Sequence, residues 1–269
     1  IYPIPLAVGC SFDLQLAEDC AYIAAVEAKY NGVDVTFSPM VDLARDARWG
    51  RVMESTGEDH YLNGEFGKAF IRGYHRGGIC CCVKHFAGYG AAEAGRDYNT
   101  TDISERSLKE YYLYAYRECL KEQPELVMTS FNLLNGVPVN ADSRLLLDIL
   151  RGEMGYDGVV VSDYGAVNEM IMHGYAADKR ECARTAANNE IDLEMMSSTY
   201  VHNLPGLVKS GEVSEEKVNK MTERMLALKE KLGLFDNPLN ATDEQKAAAA
   251  DGCAAHRGVA RRAAEKSCV

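Results

Sequence analysis

An aspartate closes an all-valine run in Val159-Val160-Val161-Ser162-Asp163-Tyr164-Gly165. A carboxylate at that point is either a site residue, able to act as a nucleophile, or a cap for a helix starting at Ala166. Lys84-His85 ends another apolar run. These adjacent cation-capable side chains could grip hydroxyl groups of one sugar ring, or be a surface lysine beside a core-edge histidine. Arg45, Asp46, Arg48, Arg51 and Glu54 crowd around Trp49, the only tryptophan, and Gly50. That mixture predicts a structured loop with internal ion pairs and one substrate-facing arginine, whose fork donates several fixed hydrogen bonds. Met128 and Phe131 end a further run, and Phe131 either stacks on a sugar face or fills the mouth of the fold. Glu194 ends the last readable strand, as a site rim or a salt-bridge partner. Glu93, Arg96 and Asp97 lie in a Gly-rich loop, either covering the site or solvated. His173 and His202 stand alone and read as structural.

The elements that must position these residues are short apolar runs, each followed by a helical period. The runs are Val33 to Ser38, Ile79 to Phe86, Leu126 to Phe131, Gly158 to Ser162 and, more weakly, Glu190 to Met195, with a possible earlier strand at Pro5 to Val8. Helices are expected over Leu14 to Lys29, Tyr61 to His75, Glu105 to Lys121, Leu145 to Glu153, Asp178 to Asn188 and Ser214 to Leu232. Ser104 is a plausible N-cap, Gly233 a plausible stop, and Asn132 to Gly136 a turn. Near-continuous apolar strands alternating with helices mean a parallel sheet covered by helices. Polar residues at nearly every strand C-terminus favour an α/β fold of the (β/α)8 TIM-barrel type over an open doubly wound sheet. No GxGxxG or GxxxxGK[ST] follows a strand, so the common nucleotide readings lose support. After Pro238 the texture turns Ala-rich and charged, and Ala241 to Ala264 reads as a linker with a helix.

The bulk numbers agree. The 269 residues are 47% hydrophobic and 26% charged, with a net charge of −11. That balance speaks against nucleic-acid and anionic-membrane partners; no segment is long and apolar enough to span a bilayer. Nine cysteines are present; Cys80, Cys81 and Cys82 are consecutive, and neighbours on a strand point to opposite faces and rarely pair. They read as reduced, mostly buried thiols, which favours a reducing, cytoplasmic setting. No CxxC pair with metal spacing occurs, and no metal or cofactor is expected.

At these residues the chain resembles glycoside hydrolase family 3, in its β-glucosidase and β-xylosidase branch. RDARWGRVMESTGED (Arg45 to Asp59), KHFAGYG (Lys84 to Gly90), VMTSFNLLNGVP (Val127 to Pro138) and GVVVSDYGAV (Gly158 to Val167) carry the likeness in order. IDLEM (Ile191 to Met195) and LGLFDNP (Leu232 to Pro238) agree. The resemblance implies a barrel over residues 1–238 that cleaves a terminal β-linked glucosyl or xylosyl residue with retention. Asp163 matches the nucleophile. Arg51, Lys84 and His85 match binders of sugar hydroxyls; Met128 and Phe131 match residues lining that subsite, and Tyr164 the aromatic beside the nucleophile. Phe131 is often Tyr in the family, so a hydroxyl near the nucleophile is absent. Ala47 and His60 stand where Pro is usual, which bears on loop stiffness. The loop Ala87 to Ala92 lacks the histidine used by the N-acetylhexosamine subfamily.

Retention needs two carboxyl groups, about 5–5.5 Å apart. Lys84 and Arg51 near Asp163 would favour its ionised form. Glu54, Asp97 and Glu194 are second carboxylates by type only. The family's acid/base usually sits in a second, α/β-sandwich domain. Residues 239–269 read as the linker and start of such a domain, and the barrel as lacking the first strand–helix unit with its Asp-Gly-Pro motif. A barrel edge left exposed in this way would be prone to association. The partner is then a small-molecule or oligosaccharide β-glycoside. The rivals are a non-catalytic carbohydrate-binding barrel, and a barrel enzyme for phosphorylated metabolites, for which no Gly-rich anion site is seen on the last strands.

Overall fold

The computed structural model describes residues 2–239 and 242–268. Ile1, Ala241 and Val269, which bound the expected domain and tail, lie outside them. Five parallel strands form the main sheet in the order β1 (Val35–Thr36), β2 (Cys80–Phe86), β3 (Leu126–Thr129), β6 (Val159–Tyr164), β7 (Leu193–Met195). β1 and β7 are its edges. The sheet curls in the manner of a barrel wall, so the barrel-type α/β expectation holds, with five of its strands among the described residues. A small hairpin, β4 (Leu133–Leu134) with β5 (Val137–Pro138), turns on Asn135 and Gly136, at φ 51° and 85°. Both signs suit an Asn-Gly turn, as the sequence predicts.

Alternation along each strand sends side chains to two separate apolar layers. Cys80, Cys82, Leu126, Met128, Val159 and Val161 pack on one face against Leu228 of α9 (Glu215–Lys231). Cys81, Val83, Val127 and Val160 pack on the other with Tyr116, Leu145, Ile149 and Cys182. Each fully buried Val or Leu contributes about 1.5–3 kcal/mol. All nine cysteines are free, and Cys80, Cys81 and Cys82 of β2 are buried.

The helices α2 (Leu14–Tyr30) and α3 (His60–Gly77) begin at Asp13 and Asp59, whose carboxylates accept from Leu16 N (2.9 Å) and Leu62 N (2.8 Å). They pack closely because glycines face α2: a Cβ at Gly73 would collide with Glu18 O and the Ala21 Cβ, and one at Gly77 with the Ala25 Cβ. At the opposite side of the sheet, buried Asp192 accepts from Val160 N (2.7 Å), Arg151 Nη2 (2.7 Å) and Arg224 Nη1 (3.0 Å), tying β6 to α9. No helix among the described residues is long and apolar enough to cross a membrane.

Some expectations change. The possible strand at Pro5 to Val8 is a helix, α1 (Pro5–Cys10): Pro5 takes the first turn, where its missing N–H costs nothing, and Gly9 lies against Thr56. The run Val33 to Ser38 pairs over two residues only. Beyond it Ser38 and Pro39 accept from Cys82 N and Lys84 N, and Pro39 has no N–H to return. The Glu105 to Lys121 helix is interrupted: α4 (Glu105–Ser107), capped by Ser104, and α5 (Tyr114–Leu120) flank a wide i→i+5 turn at Leu108–Tyr112. Arg144–Glu153 is wound in the same wide manner. Helix α8 (Thr199–Lys209) goes unpredicted because Pro205 and Gly206 sit inside it. The tail forms two helices, α10 (Glu244–Ala250) and α11 (Ala254–Lys266), docked on α2: Ala263 packs with Leu16 and Cys20, and Glu27 accepts from Gly252 N and holds His256.

One glycine substitution tests the seam, and one in α8 serves as a control of opposite sign. Gly73→Ala should lose about 1–3 kcal/mol through overpacking, although alanine is the better helix former. Gly206→Ala, with nothing within 4 Å of its added Cβ, should gain up to about 1 kcal/mol. Urea unfolding of both variants beside the parent checks this; a Gly73→Ala protein as stable as the parent refutes the close seam.

Candidate active site

The C-terminal ends of β2 and β6 bring the chemistry together. Regular pairing of β2 with β3 breaks between Val83 and Phe86, so Lys84 and His85 escape the usual alternation and both reach the same group of side chains. β6 breaks register in the same way between Val161 and Tyr164, where Ser162 Oγ accepts from Met195 N at 2.8 Å. Asp163 follows, with its Oδ1 accepting from Tyr164 N at 2.6 Å. It caps no helix: α6 (Ala166–Met172) starts from Gly165, at φ 71°.

His85 is the centre of the cluster. Its Nδ1 lies 2.7 Å from Asp42 Oδ2, and that oxygen also accepts from His85 N at 3.0 Å. Both side chains are only 1% exposed. A carboxylate can only accept, so Nδ1 carries the hydrogen. The far nitrogen, Nε2, lies 3.1 Å from Arg51 Nη2 and 3.4 Å from Asp163 Oδ2. In the neutral ring Nε2 accepts from Arg51; in the imidazolium it donates toward Asp163. Tyr116 OH, 3.5 Å from Asp42 Oδ1, reaches the other side of this carboxylate.

Arg51 and Lys84 are drawn to Glu54. Arg51 grips it with Nε at 2.7 Å and Nη2 at 3.0 Å, and Lys84 Nζ is 3.7 Å away. Burial alone would raise Glu54; Arg51, then Lys84 and His85, outweigh it and hold the carboxyl below its ordinary value. The cations expected beside Asp163 are therefore neutralised by Glu54, and the nearest cation-capable group to Asp163 is His85.

Aromatic residues wall the site. Trp49, Tyr89 and Phe131 are buried in one cluster with Met40. Tyr89 sits edge-on to His85 (ring centroids 5.3 Å) and beneath the Arg51 guanidinium (5.4 Å). Trp49 Nε1 donates to Asp97 Oδ1 at 3.0 Å, so the Arg45–Glu54 segment and the Gly-rich loop are locked together. Tyr98, from that loop, lies 4.5 Å from the Phe131 ring, and His173 holds the Phe131 carbonyl at 3.2 Å. Tyr164 is 61% exposed beside Asp163.

Of the residues singled out from sequence, Asp163, His85, Arg51, Lys84, Phe131 and Tyr164 gather here. Met128 is buried among Cys82, Val161 and Leu228. Glu194 is engaged elsewhere, its Oε1 accepting from Tyr200 N of α8 at 2.7 Å. Three residues escaped the sequence reading. Asp42 had a signal: it is a lone carboxylate inside Met40-Val41-Asp42-Leu43-Ala44. Tyr89 had none beyond its place after KHF. Glu169, in the first turn of α6, looked like an ordinary helical glutamate. Burial, then the charge of Asp163, raise its carboxyl, and its Oε2 is buried without a hydrogen-bond partner.

Known proteins resemble this chain in sequence and fold. A family model described as glycosyl hydrolase family 3 N terminal domain matches residues 1–228. The whole chain is 38% identical to the periplasmic beta-glucosidase of Salmonella typhimurium, covering 36% of that protein. It is 34% identical to a beta-xylosidase of Formosa agariphila, covering 39%. The crystal structure of a beta-glucosidase from Listeria innocua superposes with a TM-score of 0.97 at 46% identity, over 99% of this chain and 38% of that one. The same enzyme has been crystallised with glucose and, as a mutant, with laminaribiose. The chain thus spans under two fifths of the length of these relatives, and it belongs to glycosyl hydrolase family 3 through that family's N-terminal domain.

Proposed function

We propose that this chain carries the nucleophile half of a retaining β-glycosidase that releases terminal β-D-glucosyl or xylosyl residues. The observation that carries the reading is the Asp163 carboxylate at a strand end, facing His85 and flanked by the Arg51–Glu54–Lys84 group. Asp163 attacks the anomeric carbon and forms a glycosyl ester, which water later cleaves. His85, Arg51, Lys84 and Glu54 present donors and acceptors for vicinal ring hydroxyls. Phe131, Tyr98 and Tyr164 offer aromatic surface to the sugar. The relatives' beta-glucosidase and beta-xylosidase names support this class.

The proton for the leaving oxygen comes, on this reading, from a carboxyl outside the cluster. Glu54 is held ionised by two cations, Asp97 is bound by Trp49, Glu194 by the Tyr200 N–H on one oxygen, and the orphan oxygens of Glu194 and Glu169 are out of solvent. An aryl glycoside with an acidic phenol leaves without that proton, so a 2-fluoro aryl glucoside isolates the first step. The chain should gain one glycosyl mass on the peptide holding Asp163, and Asp163→Ala should gain none. Folded parent protein that forms no adduct there overturns the assignment.

Asp42 acts as a positioning residue by fixing the ring and tautomer of His85. Asp42→Asn keeps the volume but loses the paired acceptor, and should slow adduct formation by about 10- to 100-fold, the usual cost of losing a histidine's orienting partner. Tyr116→Phe, which removes only the long contact on the far oxygen, should leave the rate near the parent's. Stopped-flow release of the phenol measures both. Equal rates for Asp42→Asn and parent would refute the role.

A further inference from the structure

At the opposite end of β2 from His85, three donors of different kinds converge from three elements. His75 is in the last turn of α3, Cys81 is the second residue of β2, and Glu125 immediately precedes β3. One donor atom from each lies within 4.8 Å of the others. His75 Nε2 is 3.1 Å from Glu125 Oε2 and 3.7 Å from Cys81 Sγ. In a tetrahedral zinc site the bond lengths of imidazole, thiolate and carboxylate ligands put N···O at roughly 3.3 Å and N···S at roughly 3.6 Å. From this match we infer that His75, Cys81 and Glu125 form a binding site for a thiophilic divalent cation of the zinc class, separate from the Asp163 cluster.

The surroundings suit such a site. Glu125 Oε2 accepts from Cys81 N at 3.0 Å and its Oε1 holds Lys231 Nζ at 2.6 Å, so the carboxylate is aimed by two outer partners. Glu125 thus meets only donors: the His75 ring, the Cys81 N–H and the Lys231 ammonium. A cavity of about 350 Å³, lined by His75, Cys80, Glu125 and Lys231 among others, opens beside the cluster and can supply a water as fourth ligand. An ion-pair network accounts for His75, Glu125 and Lys231; the buried Cys81 thiol adds a sulfur donor 3.7 Å from the same histidine nitrogen. Binding replaces the S–H bond of Cys81 with a metal–sulfur bond and releases that proton to solvent; the hydrogen that His75 Nε2 holds toward Glu125 shifts to Nδ1, or leaves if the ring is an imidazolium, so that Nε2 can face the metal; no electron moves. The ion would staple α3 to β2 and to the start of β3, at the end of the sheet away from the candidate active site. Sequence spacing gives no hint, because the ligands are separated by whole elements.

The test adds Zn²⁺ or Co²⁺ alone to the intact chain. One equivalent of Zn²⁺ should bind by calorimetry and raise the melting temperature, since only the folded state assembles the ligands. Co²⁺ should give a near-ultraviolet thiolate charge-transfer band and visible bands of tetrahedral form. His75→Gln and Cys81→Ser should each weaken Zn²⁺ by at least about tenfold. Absence of saturable binding, a cobalt spectrum without the thiolate band, or unchanged affinity in either folded variant overturns the site. If a variant melts before metal is added, the parent's cobalt spectrum decides.

Discussion

A strand buried on both faces cannot carry polar side chains along its length, and the rest of this structure follows from that constraint. Unpaired polar groups cost too much in either apolar layer. β2, β3 and β6 therefore run as Cys, Leu and Val, and their chemistry is displaced to the points where they stop. Because the strands are parallel, those points fall on one side of the sheet. His85 and Asp163 meet there although the chain between them includes a whole strand of the sheet, a hairpin and several helical turns. The two breaks in register do the final aiming: pairing that stayed regular would turn Lys84 or His85 back into an apolar layer.

The electrostatics are layered in the same way. Asp42, wholly buried, has no solvent partner and must spend its negative charge on His85. That fixes which imidazole nitrogen faces outward, and so what Arg51 and Asp163 meet. Arg51 and Lys84 are balanced by Glu54 rather than by Asp163. Asp163 is left with a backbone N–H and one histidine. Its carboxylate is so engaged without any arginine or lysine within ion-pair distance among the described residues.

Much of this was legible in the chain, and the reasons are local. Valine runs and 3.6-residue periods gave the sheet order its raw material, and Asp163, Lys84 and His85 announced themselves by interrupting apolar runs. Hidden features were those set by distant contacts. Glu194 sits at a strand end like the others, yet Tyr200, six residues on, captures it. Pro5 to Val8 has strand-like residues but a proline placed for a helical first turn. Glu169 is polar in a helix, the least informative of signals, and only the fold shows one of its oxygens stranded.

The glycines of α3 have a consequence for how this sequence can vary. Gly73 and Gly77 touch backbone and Cβ atoms of α2, so the smallest possible replacement already meets matter that cannot rotate away. Hydrophobic positions in the two layers can trade size with their neighbours, one swap offsetting another. The glycines have no such trading partner, since what opposes them includes main chain. Genetic drift is thus channelled: the sheet layers can wander as a set, while the α2–α3 seam stays nearly frozen until the helices themselves move apart.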